Sequence, residues 1–444
     1  MSAESPDDAR RPRPLPSLGH QLRRMTGCDP SESHRAATPL ELLFDLAFVV
    51  AFGLAADQLA HEVAFGHTAA GVIGFCFAIF GTCWAWINFS WFASAYDTDD
   101  WFYRLTTMVQ MIGVVVFALG LPAMFHSLEL GHGIDNVVMV VGYVIMRVAL
   151  LTQWLRAARQ DPARRDTAMA YVTWVSIAQV GWIVLALLHT TAGFFFLFGG
   201  VLFLVEFTGP VVAERKSAGT PWHPHHIAER YALLAIIALG EGVLGTVAAV
   251  SAVVDEQEWS VEAVLIVVAG IGLTFGLWWC YFMIPSGPIL EHHRERSFPW
   301  GYGHVFIYGS IAATGAGLHL AALVIEGDPR LTVGVVAAVV ATAVPVAVFL
   351  VALFGLYTYL AGEFDRFHLG LFSGSMLVLA AAVGLAVAGG SLGACLILIT
   401  LAPAVVVVGY ELVGHRHQAA MLQRNLGRSL EELDEEDVTP VPNG

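Results

Sequence analysis

Two acidic side chains lie near the start of an apolar stretch that runs from Pro39 to Asp57. Glu41 and Asp45 are four residues apart, so a helix would place both carboxylates on one face, one turn apart. Like charges at this spacing repel each other, and a carboxylate close to lipid is costly. The pair therefore requires a cation, a proton or a neighbouring helix to face, and both residues are candidate functional groups.

A second acidic block, with Asp97, Asp99 and Asp100, follows the next apolar run. Arg104 follows this block closely. Three carboxylates in four residues are suited to binding Mg²⁺, a cationic solute or protons. The same pattern also fits a solvated turn in which an aspartate caps the next helix. The sequence leaves these two interpretations open.

A third block contains His226, Glu229 and Arg230 and leads into an apolar run that holds Glu241. If the helix has already begun, His226 and Arg230 share one face. Histidine and glutamate at this density could ligate a transition metal, but the block lacks a recognised zinc spacing. Glu241 lies about eleven residues into the run, so it is predicted to act as a proton carrier or as a member of an ion pair.

Arg147 lies halfway along another apolar run and requires an anionic partner or an anionic substrate. The candidate partners are Glu241, Glu206, Asp45 and Asp57. A structural ion pair that ties two halves of the protein together and a contact to substrate are both open at this point.

Aromatic residues recur at the ends of several apolar runs, including Trp278, Trp279 and Tyr281. Residues of an interfacial aromatic belt account for most of them. If several instead line a cavity beside the acidic block, they would form a wall that accepts an apolar or cationic group.

The elements that position these residues are predicted from composition. The chain is 57% hydrophobic and 13% charged, whereas a soluble domain carries about 25% charged residues. We therefore predict an all-α integral membrane protein in the lipid bilayer, with about twelve transmembrane helices. The net charge of −15 gives no indication of a nucleic-acid partner. The twelve apolar runs are 40–60, 69–93, 102–125, 136–157, 168–189, 191–211, 230–252, 260–284, 302–325, 332–358, 370–389 and 391–413.

The distribution of Arg and Lys predicts the orientation. With the N-terminus inside, the outer loops contain one basic residue, Arg330, and the inner segments contain most of the others. This asymmetry predicts a multi-pass protein of the plasma membrane with both termini in the cytoplasm. Pro122, Pro345 and Pro403 fall within spans and are expected to kink them.

Two six-helix halves are predicted from similar blocks at similar offsets. Glu41 and Glu229 are 188 residues apart, and Trp101 and Trp300 are 199 apart. Because six spans per half is an even number, the halves would be parallel repeats. The predicted organisation is a tail (1–38), a first half (39–212), a connector (213–229), a second half (230–413) and an acidic tail (414–444).

Three of these blocks, in this order, resemble the bacterial low-temperature-requirement A (LtrA-like) family. They are Pro39–Leu46, Asp97–Asp100 with Arg104, and His226–Arg230 continuing to Leu239–Glu241. The run Trp278–Phe282 is also similar to an aromatic block of that family, although Met283 stands where an acidic residue often follows. The resemblance covers roughly residues 38–410 and implies a multi-pass membrane protein.

The sequence favours a transporter that couples the movement of a small solute to the movement of protons or ions. In one version of this hypothesis the solute is anionic. Arg147 would contact an anionic group, and Glu241 and Asp45 would exchange protons or cations. A homodimer is left open.

The alternative is a membrane-embedded, Mg²⁺-dependent enzyme that acts on a lipid or isoprenoid diphosphate. Asp97, Asp99, Asp100 and Glu229 would bind the metal, and Arg104 and Arg230 the phosphates. Other substrate contacts would come from His226 and the aromatic residues Trp278, Trp279 and Tyr281. A further alternative is a membrane sensor or scaffold that works through the acidic tail.

Overall fold

The computed structural model describes residues 22–30, 32, 35–131, 133–188, 190–216, 219–257, 259–327 and 329–426. Within these ranges the chain is helical and has no β-strand beyond a single bridge between Gly133 and Thr191. Most of the predicted tails, 1–38 and 414–444, lies outside the described residues, including the acidic run after Leu426.

The described residues form fifteen α-helices, named here in chain order. They are α1 (Pro39–Ala64), α2 (Thr68–Tyr96), α3 (Trp101–Leu119), α4 (Leu121–Glu129), α5 (Val137–Gln160), α6 (Arg165–Leu187), α7 (Ala192–Glu214), α8 (Pro224–Gln257), α9 (Val261–Phe282), α10 (Ser286–His292), α11 (Ser297–Glu326), α12 (Val335–Ala361), α13 (Arg366–Val387), α14 (Leu392–Gly409) and α15 (His415–Leu426).

Twelve segments are long and apolar enough to cross a membrane, which confirms the predicted all-α class and span count. Three of these segments contain two helices each: α3 with α4, α9 with α10, and α14 with α15. The predicted cytoplasmic position of the termini stays a prediction.

The predicted single run 102–125 is divided at Gly120. A Cβ on Gly120 would lie 2.3 Å from the backbone nitrogen of Met139, so only glycine permits α5 to approach this close. Pro122 follows in the first turn of α4, where its missing N–H removes no helical hydrogen bond. By contrast, Pro345 and Pro403 lie inside the helices α12 and α14.

The helix α8 begins at Pro224, earlier than the predicted start at 230. The predicted connector (213–229) therefore ends in helix, and His226, Glu229 and Arg230 all belong to α8. His226 and Arg230 then share one helix face, and Glu229 points elsewhere.

The two halves of the chain have matching sets of neighbouring helices. In the first half the pairs are α1–α2, α1–α3, α3–α5, α5–α6 and α6–α7, and α2 meets α7 through Trp84 and Glu206. In the second half they are α8–α9, α8–α11, α11–α12, α12–α13, α13–α14 and α9–α14. This match supports the parallel repeat, which stays a prediction.

The halves meet where α1 and α2 pack against α8 and α11. Close helix contact also occurs inside each half. A Cβ on Gly142 of α5, for example, would lie 2.1 Å from the backbone nitrogen of Phe117 in α3. Small residues at such crossings let two helix backbones approach and gain dispersion energy, which is a main source of helix association in lipid.

Candidate functional site

The first turn of α1 fixes the position of Glu41. Thr38 caps the helix: its hydroxyl accepts a hydrogen bond from the Glu41 N–H (3.3 Å), and Glu41 Oε2 accepts one from the Thr38 N–H (2.8 Å). This reciprocal capping box, followed by Pro39, begins the helix sharply. It also holds a carboxylate at the positive end of the helix dipole.

Arg230 of α8 is the cation that faces both carboxylates. Its Nη1 lies 2.8 Å from Glu41 Oε1, and its Nη2 lies 2.5 Å from Asp45 Oδ1. All three side chains are 0% exposed. The guanidinium also lies over the ring of Trp86, 5.7 Å from the ring centroid. The one-turn spacing of the two acids thus matches the fork of a single arginine.

His226 and Trp86 complete this arrangement. His226 Nε2 lies 3.2 Å from Glu41 Oε2, and Trp86 Nε1 donates to Asp45 Oδ1 at 2.7 Å. We name Glu41, Asp45, His226 and Arg230 the charge cluster. With His226 neutral, two carboxylates and one guanidinium give it a net charge of −1, so one added proton makes it neutral.

Several buried polar atoms in the charge cluster and beside it have no hydrogen-bond partner among the described residues. They include Asp45 Oδ2, His226 Nδ1 and the hydroxyl of Tyr103. A buried polar atom without a partner is costly, and such atoms recur at sites that bind protons, water or ions.

Glu229 stands apart from the charge cluster. Its side chain is exposed and accepts a hydrogen bond from the Ala37 N–H at 3.2 Å. The helix α8 turns Glu229 away from its neighbour Arg230, so the structure does not bring Glu229 together with the acids of α1.

A second set of ionisable groups occurs at the junction of α1, α8 and α11. His319 Nδ1 lies 2.9 Å from Asp57 Oδ1. Glu241 is 5% exposed, and its carboxylate borders Gly53, where an added Cβ would lie 3.3 Å from Oε1. We name Asp57, Glu241 and His319 the acid–histidine group. Asp57 follows Asp45 by twelve residues, or about 18 Å of helix.

Arg147 pairs with Glu206, one of its four candidate partners. Arg147 Nη2 lies 3.0 Å from Glu206 Oε2, and both side chains are 1% exposed. Glu206 also accepts hydrogen bonds from Trp84 Nε1 (2.8 Å) and the Tyr143 hydroxyl (3.0 Å). All four residues belong to the first half of the chain, so this ion pair joins helices within one half and does not tie the halves together.

In the acidic turn, Asp100 faces an arginine of the chain. Asp100 caps α3 by accepting from the Tyr103 N–H (2.9 Å), and it pairs with Arg156. Burial opposes its ionisation, but the hydrogen bonds from Arg156 and from backbone N–H groups outweigh burial and lower the pKa of Asp100.

Asp99 and Asp97 occupy the rest of this turn. Asp99, with a φ of 45°, binds the exposed Arg104 through both carboxylate oxygens (2.8 and 2.7 Å). Asp97 accepts from the Asp99 N–H, and burial raises its pKa to about 6. Among the described residues, the ligand atoms of Asp97, Asp99 and Asp100 do not gather within 4.8 Å. The magnesium site therefore stays a prediction.

The predicted aromatic wall is divided between two places. Trp278 is exposed on α9, and Trp279 Nε1 donates to Glu411 at 3.2 Å, so both lie away from the charge cluster. The Tyr281 hydroxyl lies 3.0 Å from His304 Nε2, inside a buried aromatic group on α9 and α11. His304 also contacts the ring of Tyr231, at 4.9 Å between centroids, and Tyr231 follows Arg230 in the chain.

A cavity of about 380 Å³ opens elsewhere, between α12, the segment that joins α12 to α13, and α15. Its lining contains ionisable and apolar residues, and none of them belongs to the charge cluster: Tyr357, Ala361, Glu363, Phe364, Asp365, Arg416, His417, Ala420 and Met421. This cavity therefore has ionisable groups of its own and lies apart from the charge cluster.

The residues that sequence reasoning missed are mostly partners. Trp86 of α2 is one of them, and its indole N–H donates to Asp45. The pairing of Asp57 with His319 was also missed. Helical periodicity identifies the face on which such residues lie, but it does not identify the helix that packs there.

Comparison with known proteins identifies the family of this chain. Residues 36–403 match the family described as "Bacterial low temperature requirement A protein (LtrA)". The chain is also similar to "Uncharacterized protein RA0937" of Rhizobium meliloti (strain 1021), with 28% identity over 319 residues, or 67% of this chain and 71% of the relative. The matched region contains the charge cluster, the acidic turn and Arg147. The chain therefore belongs to the LtrA family and is a multi-pass membrane protein.

Proposed function

We propose that this protein is a secondary transporter of a small solute, and that the charge cluster binds and releases the coupling proton. The proposal rests on the position of the charge cluster between the two predicted halves. Glu41 and Asp45 come from the first helix of one predicted half, and His226 and Arg230 from the first helix of the other. Transporters built from repeats hold substrate and coupling ions at the interface between the repeats.

The charge of the cluster supports a coupling role. Ionisable residues inside membrane segments are rare and mark ion pathways and proton relays. Because the cluster is fully buried and carries a net charge of −1 with His226 neutral, adding one proton removes a buried charge. Protonation would thereby change the free energy of the contact between α1 and α8, which is the contact that alternating access must rearrange.

The acid–histidine group would provide a second exchange point on the same helices. The side chains of Asp57 and His319 are 55% and 34% exposed, while Glu241 beside them is buried. Under the predicted orientation this group lies toward the outer side and the charge cluster toward the cytoplasm. The protein would then take up a proton at one group and release it at the other, in the plasma membrane.

The enzyme alternative receives less support from the geometry. Asp99 and Asp100 each bind an arginine of the chain, which competes with a metal ion for the same oxygens. The scaffold alternative depends on the acidic tail, which lies outside the described residues.

Reconstituted liposomes test the proposal. Purified protein would be placed in liposomes that contain a pH-sensitive dye, and a panel of anionic, neutral and cationic solutes would be added under a pH gradient. We expect at least one solute to drive proton movement. Asp45→Asn should abolish this movement, and Asp99→Asn, at the exposed pair with Arg104, should leave it intact.

Two results would contradict the proposal. One is an Asp45→Asn protein that moves solute and protons at the wild-type rate with the wild-type pH dependence. The other is folded protein that moves no solute but releases pyrophosphate from polyprenyl diphosphates in the presence of Mg²⁺, which would establish the enzyme alternative.

A further inference from the structure

The ends of α1 and α4 and the start of α2 bring together three side chains that metals use. Glu62 lies in the last turn of α1, His67 precedes α2, and Glu129 ends α4. One ligand atom from each lies within 4.8 Å of the others. Within the described part of the chain, these residues form the one such group of three or more.

We propose that Glu62, His67 and Glu129 bind one divalent transition-metal ion, of the Zn²⁺ or Mn²⁺ class. The distances carry this proposal. His67 Nδ1 lies 3.5 Å from Glu62 Oε2 and 3.5 Å from Glu129 Oε1. Both separations are longer than a good N–H···O hydrogen bond, which is about 2.7–3.2 Å. Two ligands of a tetrahedral ion, each about 2.0–2.2 Å from the metal, stand about 3.3–3.6 Å apart.

Glu62 supplies an independent observation. Its side chain is 4% exposed, and its Oε2, the oxygen that faces His67, has no hydrogen-bond partner among the described residues. A buried carboxylate oxygen without a donor is costly, and a metal ion would satisfy it.

The local charge also favours a cation. With His67 neutral, the two carboxylates give the group a charge of −2, which a divalent ion balances. The carboxyl ends of α1 and α4 meet here, and each adds partial negative charge. His126 Nδ1 lies 3.2 Å from the second oxygen of Glu129 and would hold that carboxylate in position.

The mixed ligand set predicts the class of metal. An imidazole nitrogen suits Zn²⁺, Fe²⁺ and related ions, and the carboxylates also accept Mn²⁺. Mg²⁺ and Ca²⁺ prefer oxygen ligands alone. A bound ion would fasten the turn between α1 and α2 to the end of α4, on the predicted outer side. This site is independent of the proposed transport activity.

Calorimetry on full-length, detergent-solubilised protein tests the proposal. The protein would carry no polyhistidine tag and would be stripped with a chelator, then titrated separately with ZnCl₂, MnCl₂ and MgCl₂. We expect one saturable site for Zn²⁺ or Mn²⁺ and none for Mg²⁺ at the same concentrations. His67→Gln and Glu129→Gln should weaken binding by at least about 100-fold, since each removes a direct ligand.

Controls separate metal binding from folding. His67 and Glu129 are 41% and 33% exposed, so their variants should fold even if one at the buried Glu62 does not. His61→Gln changes an exposed histidine outside the three-residue group and should bind like wild type. Metal should raise the unfolding temperature of wild type and His61→Gln only. Equal affinity in all variants, or folded wild type that binds none of the three metals, would overturn the proposal.

Discussion

Replacing Arg230 by glutamine is the most direct test of the charge cluster. The change leaves Glu41 and Asp45 one turn apart, both 0% exposed and without their shared cation. Removing one partner of a buried ion pair costs about 3–5 kcal/mol because a buried charge is left uncompensated. Arg230 contacts two carboxylates and also lies over Trp86, so we expect the free energy of unfolding to fall by about 5 kcal/mol.

The assay is unfolding in mixed micelles, followed by tryptophan fluorescence as the fraction of SDS rises. The control is Arg104→Gln, which removes the exposed pair with Asp99 and should cost about 0–1 kcal/mol. A triple variant that joins Arg230→Gln with Glu41→Gln and Asp45→Asn carries no uncompensated carboxylate. It should recover more than half of the loss, because the buried charge is the main cost.

The order of the unfolding midpoints tests whether buried charge accounts for the effect of Arg230→Gln. We expect wild type and Arg104→Gln to unfold last, the triple variant next and Arg230→Gln first. A midpoint for Arg230→Gln equal to that of the control would refute the ionic account of this contact. A triple variant no more stable than Arg230→Gln would refute the assignment of the cost to buried charge.

Three further predictions use the same preparation. Arg147→Gln should lower the free energy of unfolding by about 3–5 kcal/mol, because it leaves Glu206 buried and unpaired. Adding Glu206→Gln should restore part of this stability. A double variant no more stable than Arg147→Gln would contradict the prediction. Because burial raises the pKa of Asp97 to about 6, folding favours its protonated form, so the stability from this group is lost as pH rises from about 4 to about 6. Thermal unfolding of Asp97→Asn should show a flatter profile across that window and a higher midpoint than wild type at pH 7; parallel profiles would rule this out. Gly142→Ala should lower the free energy of unfolding in SDS by about 1–3 kcal/mol, because the added Cβ forces α3 and α5 apart. Gly240→Ala is the control: nothing lies within 4 Å of its added Cβ, so it should be neutral or slightly stabilising. Equal effects of the two changes would show that the crossing of α3 and α5 is not tight.

Sequence reasoning predicted the spans well because apolar length alone decides whether a helix can cross a bilayer. It also established that Glu41 and Asp45 share a face and require a partner there. It did not identify Arg230 as that partner, since periodicity assigns residues to faces and leaves the packing of helices undetermined. For the same reason, the sequence did not decide which of four candidate partners pairs with Arg147.

The group of Glu62, His67 and Glu129 was missed for a related reason. Its ligands come from three helix ends, and Glu129 lies 62 residues beyond His67 in the chain. No spacing motif exists at such a separation. The sequence gives only a weak indication of this group: acidic and histidine residues occur in two loops that the predicted orientation places on one side of the membrane.

The charge cluster also has a consequence for biosynthesis. Arg230 follows Asp45 by 185 residues and His226 follows Glu41 by 185, whereas Glu206 follows Arg147 by 59. At about 5–20 residues per second, α1 waits about 10–40 seconds for α8 to emerge from the ribosome. During that time its two acids must be protonated or shielded by the insertion machinery. A chain that stops before α8 would have closed its first-half ion pair and would still carry two acids on α1 without their cation.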